Sequence, residues 1–215
     1  MEEKTTPEVI YEDQNILVLD KPAGWVTTKE NNHSERNIER WLEKMDKNNL
    51  PRQGIVHRLD KGTSGVLIVA KNSQTLADFK KRFRQRQVEK RYLAWIEGDL
   101  PAEGDINLPI GRSKYNREKF QVSEAGKKAQ TKFKVLRKIN IGGRIYSLVD
   151  VNLITGRTHQ IRVHFSHLGW PIVGDVVYGS KNKTVGRPEL HCYQIKIAGF
   201  TFESPFSENF YEKTQ

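Results

Sequence analysis

The chain has 215 residues, a formal net charge of +10 and a single cysteine, and these properties exclude several classes of protein. Its length suits one domain, or one domain made of two lobes, with a core large enough to fold without disulfides. Cys192 has no partner for an intramolecular disulfide, which is typical of the reducing cytosol. Apolar runs such as Val66 to Ala70 are too short to cross a bilayer, and residues 1–6 lack the apolar core of a secretory signal. The composition therefore predicts a cytoplasmic protein without a membrane anchor.

The positive charge predicts a polyanionic partner, and nucleic acid is the commonest one for such a chain. A solvated helix face is the alternative for a charge cluster, and an anionic membrane would require a basic helix with a broad apolar face. Two clusters in a chain of this net charge favour a phosphate-binding surface. The first cluster comprises Lys80, Lys81, Arg82, Arg84, Arg86, Lys90 and Arg91, and the second comprises Arg112, Lys114, Arg117 and Lys119.

The first half of the chain alternates between strand and helix patterns. The turn at Lys21-Pro22-Ala23-Gly24 follows a short apolar run. Ser73 is expected to cap a helix whose apolar residues Leu76, Phe79 and Phe83 face the core, with the basic residues largely on its other side. The predicted elements are a strand over 16–19, a helix over 37–47, a strand over 65–71 and a helix from 73 to about 86.

The second half is dominated by extended segments. Residues 98–126 are rich in turns and polar residues, which predicts long loops or a hairpin. The predicted elements are strands over 92–97, 131–139 and 144–153, a helix over 158–167, and extended segments over 170–178 and 190–202. The second and third of these strands are joined through Gly142-Gly143. Strands outnumber helices, so the predicted class is α+β with a mixed, largely antiparallel sheet and no domain linker.

The segment from His57 to Gly65 places one carboxylate, Asp60, among cations and ahead of a strand. Positive charge nearby favours the ionised form of a carboxyl group. An ionised carboxylate in a turn is either half of a structural ion pair or a nucleophile, and the segment alone leaves both open. In an extended chain, residues two apart project to the same side, so Arg58 and Asp60 would face one cleft.

Residues 153–164 concentrate cations and hydrogen-bond donors at the start of a predicted helix, where a carboxylate or phosphate is readily bound. His159, His164 and His167 suggest a metal site, but no Cys, Asp or Glu lies between Thr155 and Trp170 to complete it. We therefore expect no metal, and histidines that contact the protein or phosphate. Neither a P-loop nor a dinucleotide-binding glycine pattern occurs, which argues against a nucleotide cofactor.

Tyr92 follows Lys90 and Arg91 at the start of a predicted strand. It is either an ordinary strand aromatic or, in a nucleic-acid cleft, a flat ring on which an extruded base stacks.

Taken together, these segments resemble the RluA family of RNA pseudouridine synthases, and the resemblance runs from about Val9 to about Phe206. The motifs that carry it are Lys21-Pro22-Ala23-Gly24, residues 57–65, Lys90-Arg91-Tyr92-Leu93-Ala94, residues 155–164, Gly169-Trp170-Pro171-Ile172-Val173-Gly174-Asp175 and Tyr178-Gly179.

The resemblance implies the pseudouridine-synthase fold, a bent mixed sheet with flanking helices and a central active-site cleft. It implies one catalytic domain over 1–215, with an ordered core of about 9–206, and no small N-terminal S4-like RNA-binding module. The reaction it implies is the isomerisation of uridine to pseudouridine in structured RNA, with no cofactor. The implied partner is a ribosomal or transfer RNA stem-loop, and the implied state is a monomer.

The family also implies roles for individual residues. Asp60 would be the catalytic carboxylate, Tyr92 would stack on the target uracil, and Arg162 would pair with Asp60 and keep it aimed. Arg58 would enter the RNA helix where the uridine leaves, because a wedge offsets the cost of lost stacking. The remaining predicted RNA contacts are His57, Lys81, Arg84, Arg86, Lys90, Arg157 and His159. The alternative function is a non-catalytic RNA-binding or RNA-remodelling protein of the same fold.

Overall fold

The computed structural model describes residues 6–28, 36–45, 49–116, 119–182 and 185–206. The helices are α1 (Ile38–Met45), α2 (Ser73–Arg84) and α3 (Gln160–His167). The strands are β1 (Glu8–Glu12), β2 (Ile16–Lys21), β3 (Ser64–Ala70), β4 (Val88–Glu97), β5 (Glu103–Asn107), β6 (Ile110–Arg112), β7 (Phe120–Val122), β8 (Gln130–Ile141), β9 (Arg144–Leu153), β10 (Leu190–Ile197) and β11 (Phe200–Glu203). None of these helices is long and apolar enough to cross a membrane.

Contacts within the chain define two compact units. The first contains the described residues up to Glu89 together with Cys192–Phe206, and the second contains Lys90–His191. The strand pairs β1–β2, β2–β3 and β10–β11 of the first unit and β4–β9, β8–β9 and β5–β8 of the second are all antiparallel. A parallel bridge joins Val26 to Asn37. The predicted α+β class is confirmed.

The core of the first unit forms where β2 and β3 pack against α1. Every residue of β2 is buried, in keeping with the apolar run Ile16–Leu19 at its start. Gly65 at the start of β3 has φ +113°, and a Cβ at this position would lie 2.1 Å from the Cys192 carbonyl oxygen. Only glycine fits this close approach. The residues of this core are Leu17, Leu19, Trp25, Ile38, Leu42, Ile55, Leu67 and Val69.

The second unit is built on the antiparallel strands β4, β9, β8 and β5, in that order. Gly142 and Gly143 join β8 to β9 with φ values of +57° and +77°, as the predicted two-residue turn requires. Strands β6 and β7 form a separate hairpin within residues 98–126, where loops or a hairpin were expected. Strand β5 in the same stretch was not predicted.

The structure corrects three details of the predicted helices and extended segments. Asn72, not Ser73, caps α2, because the cap residue stands before the first helical residue with extended φ and ψ, and its Oδ1 accepts the Thr75 amide at 2.9 Å. Helix α2 ends at Arg84, and Arg86 adopts a φ of +59°. The segment predicted as extended over 170–178 ends in a 3-10 turn over Val176–Tyr178 that Asp175 caps. Residues 46 and 47 of the first predicted helix lie outside the described residues.

Candidate active site

Asp60 lies in the segment that leads into β3, and a single hydroxyl group holds the residue before it. Oγ1 of Thr27 donates a hydrogen bond to the Leu59 carbonyl at 2.7 Å and accepts one from the Leu59 amide at 3.2 Å. Leu59 is buried, whereas Arg58 is exposed and Asp60 is half-buried. This alternation agrees with the expectation that Arg58 and Asp60 project to one side while Leu59 anchors the backbone on the other.

Backbone hydrogen bonds tie the same segment to the turn after β2. The Gly24 amide donates to the Lys61 carbonyl at 2.7 Å, and the Thr63 amide donates to the Asp60 carbonyl at 3.1 Å. Lys21, which is fully buried, secures the turn because its Nζ donates to the Trp25 carbonyl at 2.9 Å and to the Pro22 carbonyl at 3.1 Å. The two motifs over 21–24 and 57–65 therefore form one hydrogen-bonded structure.

His57 fixes the other end of this segment. Its Nε2 accepts a hydrogen bond from the Ile68 amide of β3 at 3.1 Å, and its ring stacks on Phe83 of α2 with the centroids 4.8 Å apart. Both contacts are internal to the protein, so they account for a histidine at this position. The predicted RNA contact of His57 stays a prediction.

Tyr92 occupies a buried position on β4, and strand register defines the face on which it lies. Tyr92 pairs with Val151 of β9, and Val151 pairs with Phe133 of β8. Paired residues of antiparallel strands project to the same face of the sheet. The Phe133 ring lies 5.2 Å from that of Phe165 on α3. Tyr92 is thus on the face of these strands that is covered by α3, the helix that carries Arg162.

Arg162 is held by two groups of its own unit. Its Nε and Nη2 donate to the Asp175 carboxylate at 2.6 and 2.9 Å, and its guanidinium carbon lies 4.8 Å from the centre of the Tyr178 ring. Arg162 and Asp175 are both buried. Asp175 and Tyr178 belong to motifs in the sequence, but no pattern there indicated that they hold Arg162. The pairing of Arg162 with Asp60 stays a prediction.

The other polar residues of this motif form a buried hydrogen-bond network. Gln160 Nε2 donates to the Gln130 carbonyl and to Thr131 Oγ1, both at 2.9 Å. Gln160 Oε1 accepts from Thr155 Oγ1 at 2.7 Å and from the Arg157 amide at 3.0 Å. The side chain of Gln160 therefore closes the loop that enters α3.

His164 completes this network through both ring nitrogens. Nε2 lies 2.9 Å from the Leu108 carbonyl, which only accepts hydrogen bonds, so Nε2 carries a proton. Nδ1 lies 2.9 Å from Thr131 Oγ1. Burial lowers the pKa of His164, and the charge of nearby His167 lowers it further, against the opposing effect of the Leu108 carbonyl. The ring is therefore neutral near pH 7, and Nδ1 accepts the Thr131 hydroxyl.

The predicted RNA-binding cations lie in different surroundings. Lys81, Arg84 and Arg86 are exposed on α2 and the turn after it, whereas Leu76 and Phe79 of α2 are buried. Within the same cluster, Arg82 pairs with Asp78 at 2.8 Å and Arg91 pairs with Asp150. Arg117 of the second cluster lies outside the described residues.

Three further predicted contacts lie around the loop before α3. The Lys90 ammonium lies beside Gly156, where a side-chain Cβ would be 3.5 Å from Nζ. Nε of Arg157 donates to the Lys128 carbonyl at 3.1 Å. His159 has a φ of +56°, and its Nδ1 lies 2.9 Å from the Tyr178 hydroxyl. The described residues contain no group of three His, Cys, Asp or Glu side chains that could hold a metal ion.

Comparison with known proteins adds independent findings. A family model described as RNA pseudouridylate synthase matches residues 15–167. Ribosomal large subunit pseudouridine synthase D of Pseudomonas aeruginosa is 43% identical over 176 residues, covering 81% of this chain and 54% of that protein. The protein of the same name from Borreliella burgdorferi is 41% identical over 200 residues, covering 88% and 60%. The chain thus spans just over half the length of these curated relatives.

A solved structure is similar along nearly the whole chain. Human RNA pseudouridylate synthase domain containing 1 superposes with a TM-score of 0.80 at 27% identity, covering 98% of this chain and 87% of that one. This likeness confirms the fold that the sequence motifs implied.

Replacing Thr27 by Val tests the anchor of the Asp60 segment. The substitution keeps the shape of the side chain but leaves the buried Leu59 amide and carbonyl without the hydroxyl, so we expect a loss of about 1–3 kcal/mol of unfolding free energy. The Leu59 amide should also exchange its hydrogen faster, as measured by NMR. Thr27→Ser restores the hydroxyl and should restore protection, and Thr28→Val is the matched control. Unchanged Leu59 protection in Thr27→Val would contradict the anchor.

Replacing His164 by Gln tests the neutral ring. Because the folded protein holds the pKa of His164 below its ordinary value, the unfolded chain binds the proton first as pH falls below about 6.5. The contribution of His164 to stability is thus present above that pH and decreases below it. Urea unfolding between pH 5 and 8 should show weaker acid destabilisation in His164→Gln than in the wild type. Replacing the exposed His167 by Gln should have a smaller effect, because it removes only the lesser of the two causes that lower the pKa of His164. An unchanged pH dependence in His164→Gln would disprove the assignment.

Proposed function

The chain belongs to the RNA pseudouridylate synthase family, and on this basis we propose that it isomerises uridine to pseudouridine within RNA. The proposal depends mainly on one observation. The half-buried Asp60 and the exposed Arg58 flank Leu59, and the Thr27 hydroxyl binds the backbone amide and carbonyl of Leu59. This segment lies within the residues that the family model matches. A binding protein has no need of such a fixed carboxylate, so no described feature favours the non-catalytic alternative.

The proposed reaction exchanges one bond to the ribose for another. The bond between N1 of uracil and C1′ breaks, the base rotates, and C5 bonds to C1′. A proton leaves C5 and N1 gains one, so the reaction needs neither an oxidant nor a hydrolytic water. Asp60 is the proposed catalytic carboxylate, Tyr92 the stacking surface for the uracil, and Arg162 the cation that pairs with Asp60.

Extrusion of the uridine is assigned to Arg58. Removing a base from its stack costs a few kcal/mol, and a side chain that fills the gap offsets part of that cost. Arg58 is exposed one residue before the buried anchor Leu59, and Asp60 follows it. Arg58 would thus fill the gap in the RNA helix while Asp60 meets the extruded nucleotide.

The exposed cations of α2 are the proposed route for the RNA backbone. Lys81 and Arg84 of α2 and Arg86 after it are exposed while Leu76 and Phe79 are buried, as expected of a helix that presents charge to phosphates. The names of the relatives point to large-subunit ribosomal RNA, and transfer RNA is the other substrate class proposed. The single catalytic domain over 1–215, the monomeric state and the cytoplasmic location stay predictions. Pseudouridine mapping in total RNA from cells with and without the protein would identify the substrate.

Asp60→Asn should abolish the reaction while leaving RNA binding largely intact. Loss of the carboxylate charge should reduce the rate of pseudouridine formation by about 10³-fold or more. The assay is pseudouridine formation in total RNA from cells that lack the protein, with binding measured on the same RNA. Asp99→Asn makes the same chemical change at an exposed position. Turnover near the wild-type rate in Asp60→Asn would exclude Asp60 as the catalytic residue.

Arg58→Ala should slow the reaction more on a paired uridine than on an unpaired one. We expect the difference between the two losses to be about 10-fold or more, because only the paired substrate requires a wedge. The substrates are a stem-loop containing a mapped uridine and the same RNA with that uridine unpaired. Arg58→Lys keeps the charge without the planar guanidinium, and so separates attraction for phosphate from stacking. Equal losses on both RNAs would rule out the wedge.

A further inference from the structure

We propose that Tyr178 is a positioning residue for Arg162, and that the β6–β7 hairpin holds Tyr178 in place through the amide of Phe120. This inference rests on the proposed function, because it explains how the guanidinium of Arg162, the proposed partner of Asp60, is oriented. Tyr178 itself is not proposed to touch the RNA or the reacting atoms.

Two restraints act on the Arg162 guanidinium from different directions. The Asp175 carboxylate binds one edge of the group through Nε and Nη2, at 2.6 and 2.9 Å. The guanidinium carbon also lies over the face of the Tyr178 ring, 4.8 Å from the ring centre. A bidentate carboxylate fixes the position of the group within its plane, and attraction to the aromatic ring restricts its movement further. Together they define one orientation.

The same carboxylate also connects the two partners of Arg162. Oδ1 of Asp175 accepts the Tyr178 amide at 3.3 Å as well as Arg162 Nη2. Asp175 thereby caps the 3-10 turn that carries Tyr178. A shift of the ring would therefore disturb the carboxylate, and through it the guanidinium.

The hydroxyl group of Tyr178 is anchored by residues outside this turn. It accepts a hydrogen bond from the Phe120 amide of β7 at 3.0 Å and lies 2.9 Å from His159 Nδ1. The His159 ring contacts the rings of Phe120 and Tyr178 edge-on, with centroids 5.8 and 5.6 Å apart. The Lys119 ammonium adds a bond to the Val177 carbonyl at 2.8 Å. Lys119 and Phe120, where β7 begins, thus bind two successive residues of the turn, Val177 and Tyr178.

Stability alone is a weak reason for such an arrangement. Burying an arginine and an aspartate costs desolvation energy that their attraction only partly offsets, and apolar replacements of similar volume are often neutral or stabilising. A buried ion pair with an aromatic ring beside it is better explained by the need to hold the guanidinium in one orientation. The Asp175 pair engages two of the five N–H donors of the arginine, through Nε and Nη2.

Two substitutions separate the functions of the tyrosine. Tyr178→Phe removes the hydroxyl and its bond to the Phe120 amide but keeps the ring over Arg162, whereas Tyr178→Leu also removes the ring. Under single-turnover conditions, the maximal rate constant should fall by about 5- to 10-fold in the first and about 100-fold in the second. The enzyme concentration that gives half the maximal rate should change by less than about twofold, because binding is not affected. Tyr146→Phe, at another buried tyrosine of the same unit, should change neither quantity.

A double-substitution cycle tests whether Tyr178 acts through Arg162. In an Arg162→Lys background the guanidinium is gone, so Tyr178→Leu should cost about twofold or less, instead of its full effect. NMR gives a readout that does not depend on turnover. The Arg162 Nε–H should exchange slowly in the wild type and markedly faster in Tyr178→Leu, with thermal unfolding confirming that the variant is folded.

Each outcome decides the inference. Slow exchange of the Arg162 Nε–H in Tyr178→Leu would overturn it. So would a double variant, Arg162→Lys with Tyr178→Leu, whose loss of maximal rate constant equals the product of the two single losses. A loss of RNA affinity without a loss of the maximal rate constant would also overturn it. If the wild type forms no pseudouridine in any RNA from cells lacking the protein, the proposed function fails instead. The NMR experiment then still decides whether Tyr178 orients Arg162.

Discussion

The hydrogen bonds between the Thr27 hydroxyl and both backbone groups of Leu59 are the constraint on which the Asp60 segment depends. A hydroxyl donates and accepts at the same time, so one small side chain satisfies two buried polar groups that no strand ladder pairs. The clamp acts on the residue between Arg58 and Asp60. The backbone at Arg58 and Asp60 is therefore fixed relative to the segment after β2, which contains Thr27, and does not move as an independent loop.

Helix α3 shows a second way of building a site. Its residues from Gln160 to Phe165 are all buried, although three of them are polar. Each buried polar side chain needs a partner, and the partners are found in β8, in the loop before β6 and in the turn after α3. Most polar residues of this motif thus maintain the structure. Motif membership alone therefore does not separate a reacting residue from one that closes a loop.

The sequence predicted the elements whose residues carry a strong periodic or β-branched pattern, such as β3 and β9. It missed β1 and β5 because these short strands are largely exposed and carry charged residues, so no alternation distinguishes them. The internal role of His57 could not be predicted either. It depends on Ile68 and Phe83, which only the folded chain brings to the imidazole. Asp60, Tyr92 and Arg162 are proposed as site residues because the resemblance to a family points to them, while spacing alone left each of them ambiguous.

The contacts that hold Arg162 and the segment of Asp60 share one feature, which is that they come from the protein itself. The clamp on the Asp60 segment uses backbone atoms of Leu59 and none of the carboxylate oxygens. Arg162 is held by the Asp175 carboxylate and the Tyr178 ring of its own unit. The backbone next to Asp60 and the guanidinium of Arg162 are therefore both held by contacts within the protein. Groups oriented before the substrate arrives need no reorganisation as charge develops, and such preorganisation is usually the largest contribution an enzyme makes to its rate.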